Sequence, residues 1–180
     1  MPNLTGLPVS APFPTSQFKT TTEHGGSGLG QRFSDKDGNE FVLVDCTEAL
    51  VAGEWVVISP NAQASQITST SRGRVGIVMS TPTTSDTYAF VQVYGTCDIA
   101  IVSSGVTSAG VLFAPVTSDV GYADQGTTTT ANTIFGAFSR AAASTATTPG
   151  GWSSAPVGLG SVELNYPYVL GVADAVLMTS

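Results

Sequence analysis

Apolar residues along this chain come in short, β-branched runs separated by glycine, proline and hydroxyl-bearing turns, and helical spacing is almost absent. Glu40-Phe41-Val42-Leu43-Val44-Asp45-Cys46 is one such run, entered through the turn pair Asp37-Gly38. Glu54-Trp55-Val56-Val57-Ile58 is a second, opened by Ala52-Gly53 and closed by Ser59-Pro60-Asn61. A polar stretch from Gln63 to Ser71 precedes the next strand, Arg74-Val75-Gly76-Ile77-Val78-Met79. Tyr88-Ala89-Phe90-Val91-Gln92-Val93-Tyr94 is apolar on both faces, which predicts a central strand between two layers. Val91 and Val93 should face the interior, opposite Phe90 and Gln92. Gly95-Thr96 reads as a break, with Cys97 to Val102 following at hairpin distance. Gly110 to Ala114, Thr133 to Phe138 and the alternating Val162-Glu163-Leu164-Asn165-Tyr166 complete the series, before Tyr168 to Val172 and Ala173 to Met178.

Short strands with such turns predict an all-β fold, a small β-barrel or a β-sandwich. Only Ser139 to Ala146 has some helical potential, and Thr147-Thr148-Pro149-Gly150-Gly151 stops it; Ala141 to Ser154 reads better as a long loop. Residues 1–30 differ in kind. Pro2, Pro8, Pro12 and Pro14, followed by Gly25-Gly26-Ser27-Gly28-Leu29-Gly30, deny helix and favour an extended arm. Leu4, Leu7, Val9, Phe13 and Phe18 are spaced along it as anchors a plain linker would not need. The expected organisation is therefore an arm, 1–30, and one β domain, 31–180, with a long Thr/Gly-rich loop region over about 116–160.

Charge is sparse. Charged residues make up 11% of the chain, against about 25% in soluble domains, while Ser and Thr supply roughly a quarter. A monomer of this mass exposes about 8,000 Å², or one charged side chain per roughly 430 Å². Hydroxyls, glycines or other subunits must cover the rest. The formal net charge of −7 disfavours a nucleic-acid partner, since Lys19, Arg32, Lys36, Arg72, Arg74 and Arg140 form no basic run. No stretch has the apolar length of a membrane-spanning helix, and Met1-Pro2-Asn3-Leu4 lacks the basic and apolar regions of a signal peptide. Contacts with partners should rest on apolar burial and hydrogen bonds more than on ion pairs.

Candidate chemistry is thin. His24 is the only histidine and sits beside Glu23 in the arm, where it reads as solvated. Asp35-Lys36-Asp37-Gly38-Asn39-Glu40 is oxygen-rich like a calcium loop, but its glycine comes two places early and the closing glutamate is absent, so a hairpin or strand-entry turn is expected. Cys46 and Cys97 lie in apolar runs and read as buried free thiols. The glycine-rich run at 25–30 follows no strand and carries no lysine, so it is no phosphate cradle. No catalytic, cofactor or metal site is expected. Among the aromatics, Tyr166 and Tyr168 read as core; Phe13, Phe18 and Trp152, flanked by proline and glycine, read as interface anchors or local core contacts. Leu4, Leu7, Phe13, Phe18 and Trp152 are the candidate partner-interface residues.

One stretch has a familiar order. Val51-Ala52-Gly53-Glu54-Trp55-Val56-Val57, then Gly73-Arg74-Val75-Gly76-Ile77-Val78, Phe90-Val91-Gln92-Val93-Tyr94-Gly95, Asp98-Ile99-Ala100-Ile101 and Ala109-Gly110-Val111-Leu112-Phe113-Ala114 together resemble the small β-barrel head-decoration, or cement, proteins of tailed bacteriophages. The resemblance covers about residues 50–115; the segment 116–160 departs from that pattern. It implies a structural virion protein on the outer capsid surface, made in the host cytoplasm. It would bind the major capsid protein and copies of itself, often as a trimer, without catalysis. Another virion part, such as a tail or baseplate protein, and a carbohydrate-binding or adhesin module are the alternatives. A sugar binder should project aromatics from one sheet face, whereas a decoration protein should carry an arm lying away from its own body.

Overall fold

Among the described residues ten strands form; most fall on the predicted β-branched or alternating runs, but those at 32–34, 63–66 and 123–125 do not, and Ala173 to Met178 lies outside the described residues. The computed structural model describes residues 28–83, 88–103, 106–117, 119–126, 132–142 and 158–170. The strands are β1 (Arg32–Ser34), β2 (Glu40–Cys46), β3 (Trp55–Ile58), β4 (Gln63–Gln66), β5 (Gly73–Val78), β6 (Tyr88–Val102), β7 (Leu112–Pro115), β8 (Ala123–Gln125), β9 (Ile134–Ser139) and β10 (Gly158–Val169). The described residues contain no helix. All ten strands belong to one mixed sheet in a ring, with β2–β4 and β6–β8 parallel and the other pairs antiparallel.

The pairings close two circuits that share β6. One runs β2–β4–β3–β5–β6 and back to β2; the other runs β10–β6–β8–β7–β9 and back to β10. Alternate residues of the first circuit point inward, where Val42, Val44, Val56, Ile58, Ala64, Val78, Ala89, Val91 and Val93 make one buried cluster. A second cluster gathers Cys97, Ala100, Val102, Phe113, Ala123, Ile134, Ala137, Val162 and Leu164 from the other circuit, with Trp55, Val75 and Ile77 from the reverse side of β3 and β5. Phe33, Phe41, Leu43 and Phe90 form a third group, outside the first circuit, where Phe33 and Phe90 meet edge-to-face at 5.4 Å. Phe90, Val91, Gln92 and Val93 are thus all buried, as a central strand requires.

The break expected at Gly95-Thr96 does not occur. Strand β6 continues through it as 15 residues. Gly95 takes φ +91°, which lets the strand kink without ending. Before the kink β6 lies between β2 and β5; after it, β10 runs along one edge and β8 pairs on the other at Val102 alone. Two side-chain amides hold the kink. Gln92, buried, donates from Nε2 to the carbonyls of Tyr94 (3.2 Å) and Thr96 (2.9 Å). Asn39 accepts from the Thr96 N–H at 3.1 Å.

Trp55 closes the gap left where β6 exchanges neighbours. Its indole N–H donates to the Ile101 carbonyl at 2.9 Å, while the Ile101 N–H donates to Gly53 at 2.9 Å. The loop before β3 therefore supplies the bonds an adjacent strand would have made. The "polar stretch" beginning at Gln63 likewise turns out to hold a strand. β4 buries Ala64 against β2 and β3, although its neighbours Gln63, Ser65 and Gln66 remain polar and partly exposed. The body also begins slightly before residue 31, since the Gly30 N–H bonds the Leu43 carbonyl at 2.8 Å.

An alanine Cβ at Gly95 would sit 2.1 Å from Asn39 Oδ1, in addition to the positive φ. Gly110 has φ +80° with nothing within 4 Å of such a Cβ. We expect Gly110→Ala to cost about 1 kcal/mol, the left-handed penalty alone. Gly95→Ala should cost about 2–3 kcal/mol or more because the kink must also shift. Urea unfolding of the two variants measures the difference; equal losses would show that β6 does not depend on its kink.

Candidate interaction surface

The C-terminal strand builds an exposed aromatic face through a local fault in its alternation. Along β10, Val162 and Leu164 point inward while Glu163 and Asn165 point out. Tyr166 has φ +49°, an uncommon value for a bulky residue, at a register shift against β9. That fault adds one residue to the alternation, so Pro167 and Val169 face inward while Tyr166 and Tyr168 face out. Tyr166 and Tyr168 are 39% and 40% exposed, which corrects the reading of both as core.

Neighbouring strands extend this face. Tyr94, beside the kink in β6, lies opposite Asn165 and meets the Tyr166 ring at 5.1 Å. Arg32 from β1 sits 4.8 Å over the Tyr166 ring and 3.9 Å from Glu40. Phe135 of β9 stacks on Tyr168 at 5.5 Å. Arg32, Arg74 and Tyr166 also line one small hollow of about 20 Å³ over Val42, Ile58 and Val93, at the end of the first circuit. Phe138 and Leu159 continue the exposed apolar surface along β9 and β10. Tyrosine and arginine on rigid strands, surrounded by few charges, have the make-up of a protein-binding hot spot.

A second feature adjoins it. Thr47, Val57, Ile58, Ser59, Gln63, Ser65, Arg72 and Arg74 line an open groove of about 740 Å³ over β3, β4 and β5. Arg74, paired with Tyr168, joins the groove to the aromatic face.

Groups that might have carried chemistry are placed otherwise. Asp35 closes the β1–β2 hairpin: its Oδ1 accepts from the N–H groups of Asp37 and Asn39 at 2.9 Å each, and its Oδ2 from Asn39 Nδ2 at 2.8 Å. The oxygen-rich run is therefore a turn. Among the described residues, no three His, Cys, Asp or Glu side chains come together to hold a metal. Cys46 and Cys97 are buried free thiols in different core clusters. Desolvation pushes Cys46 up to about 12, helped by Asp45 and Glu48, and Cys97 up to about 11.

Among the described residues, Glu54 is a buried carboxylate with a constructive role. Its Oε2 accepts from the Val51 N–H at 2.8 Å and its Oε1 from Gln66 Nε2 at 2.9 Å, tying the entry of β3 to β4. Desolvation raises its pKa above 4.5, and these two bonds oppose the rise. Leu4, Leu7, Phe13, Phe18, Trp152 and His24 lie outside the described residues. The exposed face the sequence reading missed could have been signalled by Tyr166 followed directly by Pro167, a pair that disturbs a ladder.

No family model, curated protein or solved structure matches this chain.

Two outcomes follow from the buried groups. Native protein at pH 8 should leave both thiols unreacted with a thiol-specific chromogen for many minutes, and unfolded protein should release the full signal of two. A fast native thiol would contradict the burial of one of them. For Glu54, the folded state holds a proton over a range above pH 4.5 in which the unfolded state has lost it. Its contribution to stability is thus greatest at low pH and falls as pH rises through that window. Glu54→Gln keeps both bonds if the Gln66 amide turns over, and escapes the penalty of a buried charge. The variant should gain on wild type as pH rises from 4.5 to 7 in urea titrations; a constant difference would show that Glu54 is not desolvated.

Proposed function

We propose that this chain is a structural virion protein that decorates and stabilises a phage capsid by binding the assembled head lattice, without catalysis of its own. The aromatic face of Tyr94, Tyr166, Tyr168 and Phe135 with Arg32 carries this reading. Large, rigid side chains held by mutual stacking lose little entropy on binding, which suits an attachment surface. The resemblance to decoration proteins adds support, because its strings fall on β3, β5, β6 and β7 and the turns before them. In this reading the first circuit is a small barrel, and residues 1–30 are an arm that crosses to a neighbouring subunit.

The partners are the major capsid protein and further copies of the chain, as a homotrimer. Modest contacts repeated around a symmetric oligomer on a symmetric lattice then give an avidity that no single contact has. Attachment places the protein on the outside of the head, where an acidic surface does not meet packaged DNA.

A second reading, a carbohydrate-binding module, also draws on exposed aromatics of one sheet face. A sugar stacks on a free ring face, however, and Tyr166 is engaged by both Tyr94 and Arg32. The stacking favours a protein partner.

Cosedimentation with the parent particle tests the proposal. Tyr166→Ala with Tyr168→Ala should leave the melting temperature within a few degrees and weaken attachment roughly 30-fold or more, the loss typical of a hot spot. Removal of residues 1–27 should also weaken it while leaving the fold intact. A double variant that saturates the particle with wild-type affinity sinks the assignment of this face.

A further inference from the structure

The groove over β3, β4 and β5 holds an unusual share of the protein's positive charge. Five cationic side chains lie among the described residues. Arg32 stands within 4 Å of Glu40, Lys36 of Asp37 and Arg140 of Glu163. The two without a carboxylate at that distance, Arg72 and Arg74, both line the same groove. In a chain of net charge −7, two cations with no carboxylate within 4 Å among the described residues, both lining one groove, are not explained by the fold.

The rest of the lining narrows the ligand. Val57 and Pro60 give an apolar floor, with Ile58 and Ala64 buried behind it, and Ser59, Gln63 and Ser65 offer polar groups beside it. Among the described residues, no aromatic side chain lines the groove to offer a stacking platform for a sugar ring or a base. Its volume of about 740 Å³ suits several side chains. Guanidinium groups select carboxylates through paired, planar hydrogen bonds.

We infer that this groove receives an extended acidic segment of the partner protein, with an apolar side chain on the floor between two carboxylates held by Arg72 and Arg74. The inference rests on the attachment reading above, because Arg74 makes the groove continuous with the aromatic face. The two features then divide the work. The stacked rings supply apolar contact, and the groove supplies selection by charge, discriminating against segments whose acids are replaced by amides.

The test uses the full chain, isotope-labelled, titrated by NMR with the capped peptide Gly-Glu-Leu-Glu-Gly and with its isostere Gly-Gln-Leu-Gln-Gly. The acidic peptide should give saturable shifts centred on Ser65 and the Arg72–Arg74 segment, and its affinity should fall several-fold between 0.05 and 0.5 M salt. Arg72→Gln with Arg74→Gln, both exposed positions, should weaken it roughly tenfold or more without changing the melting temperature. Equal binding of the two peptides, shifts elsewhere, or the same shifts with acetate at equal concentration would each overturn the inference. The arginine variant is also cosedimented with the parent particle. Peptide binding by a wild-type chain that ignores the particle would refute the attachment reading and leave the acidic site standing; particle binding untouched by the arginine variant would refute the site as part of attachment.

Discussion

A strand has two edges, and every backbone N–H and C=O along a buried strand needs a partner on one of them. Strand β6 meets that demand by changing neighbours around Gly95: β10 takes over from β5 on one edge, and on the other β2 ends at Tyr94 and β8 pairs only at Val102. The two circuits exist because of that exchange. Its cost is a short length of β6 whose ladder is irregular, and the chain fills it with side chains brought from elsewhere. Gln92 serves the carbonyls on either side of the glycine, Asn39 takes the Thr96 N–H, and the Trp55 indole reaches the Ile101 carbonyl. A strand of uniform valine would have no such options, which is why one of the longest apolar runs in the sequence carries a glutamine in its middle.

Much of this was legible in the residues, and the exceptions have a common cause. The strands β2, β3 and β5 could be read from β-branched composition, because most of their side chains are buried and burial selects those residues. β4 could not, since Gln63-Ala64-Ser65-Gln66 becomes a strand through the two neighbours it pairs with, and only Ala64 is fully buried. The continuity of β6 was hidden by Gly95, which looks the same in sequence whether it ends a strand or kinks one. In each case the deciding bond partner is distant along the chain. Tyr166 and Tyr168 follow the same rule: simple alternation puts them inside with Leu164, and the positive φ of Tyr166 puts them outside.

The surface that results is organised by the same faults that organise the core. Tyr94 is exposed next to the Gly95 kink, and Tyr166 is exposed at the bulge of β10, two irregularities that face each other across one ladder. Regular strands would have kept Tyr166 and Tyr168 on the inner face with Leu164. Irregular ones raise rings that lean on each other and on Arg32. The exposed aromatic face of this protein is a product of where its ladders slip.

Strand β10 also sets the order of events in the life of the chain. It pairs with β5, β6 and β9, so it closes the second circuit and buttresses the first. Contacts between residues so far apart in sequence form slowly, because the intervening chain must first be brought together. Until the ribosome has released residues 158–169, neither Tyr166 nor Tyr168 exists to join Tyr94, and β6 lacks its neighbour beyond Gly95. An unfinished chain therefore has no aromatic face to offer. Any association through this face would have to wait for the completed fold.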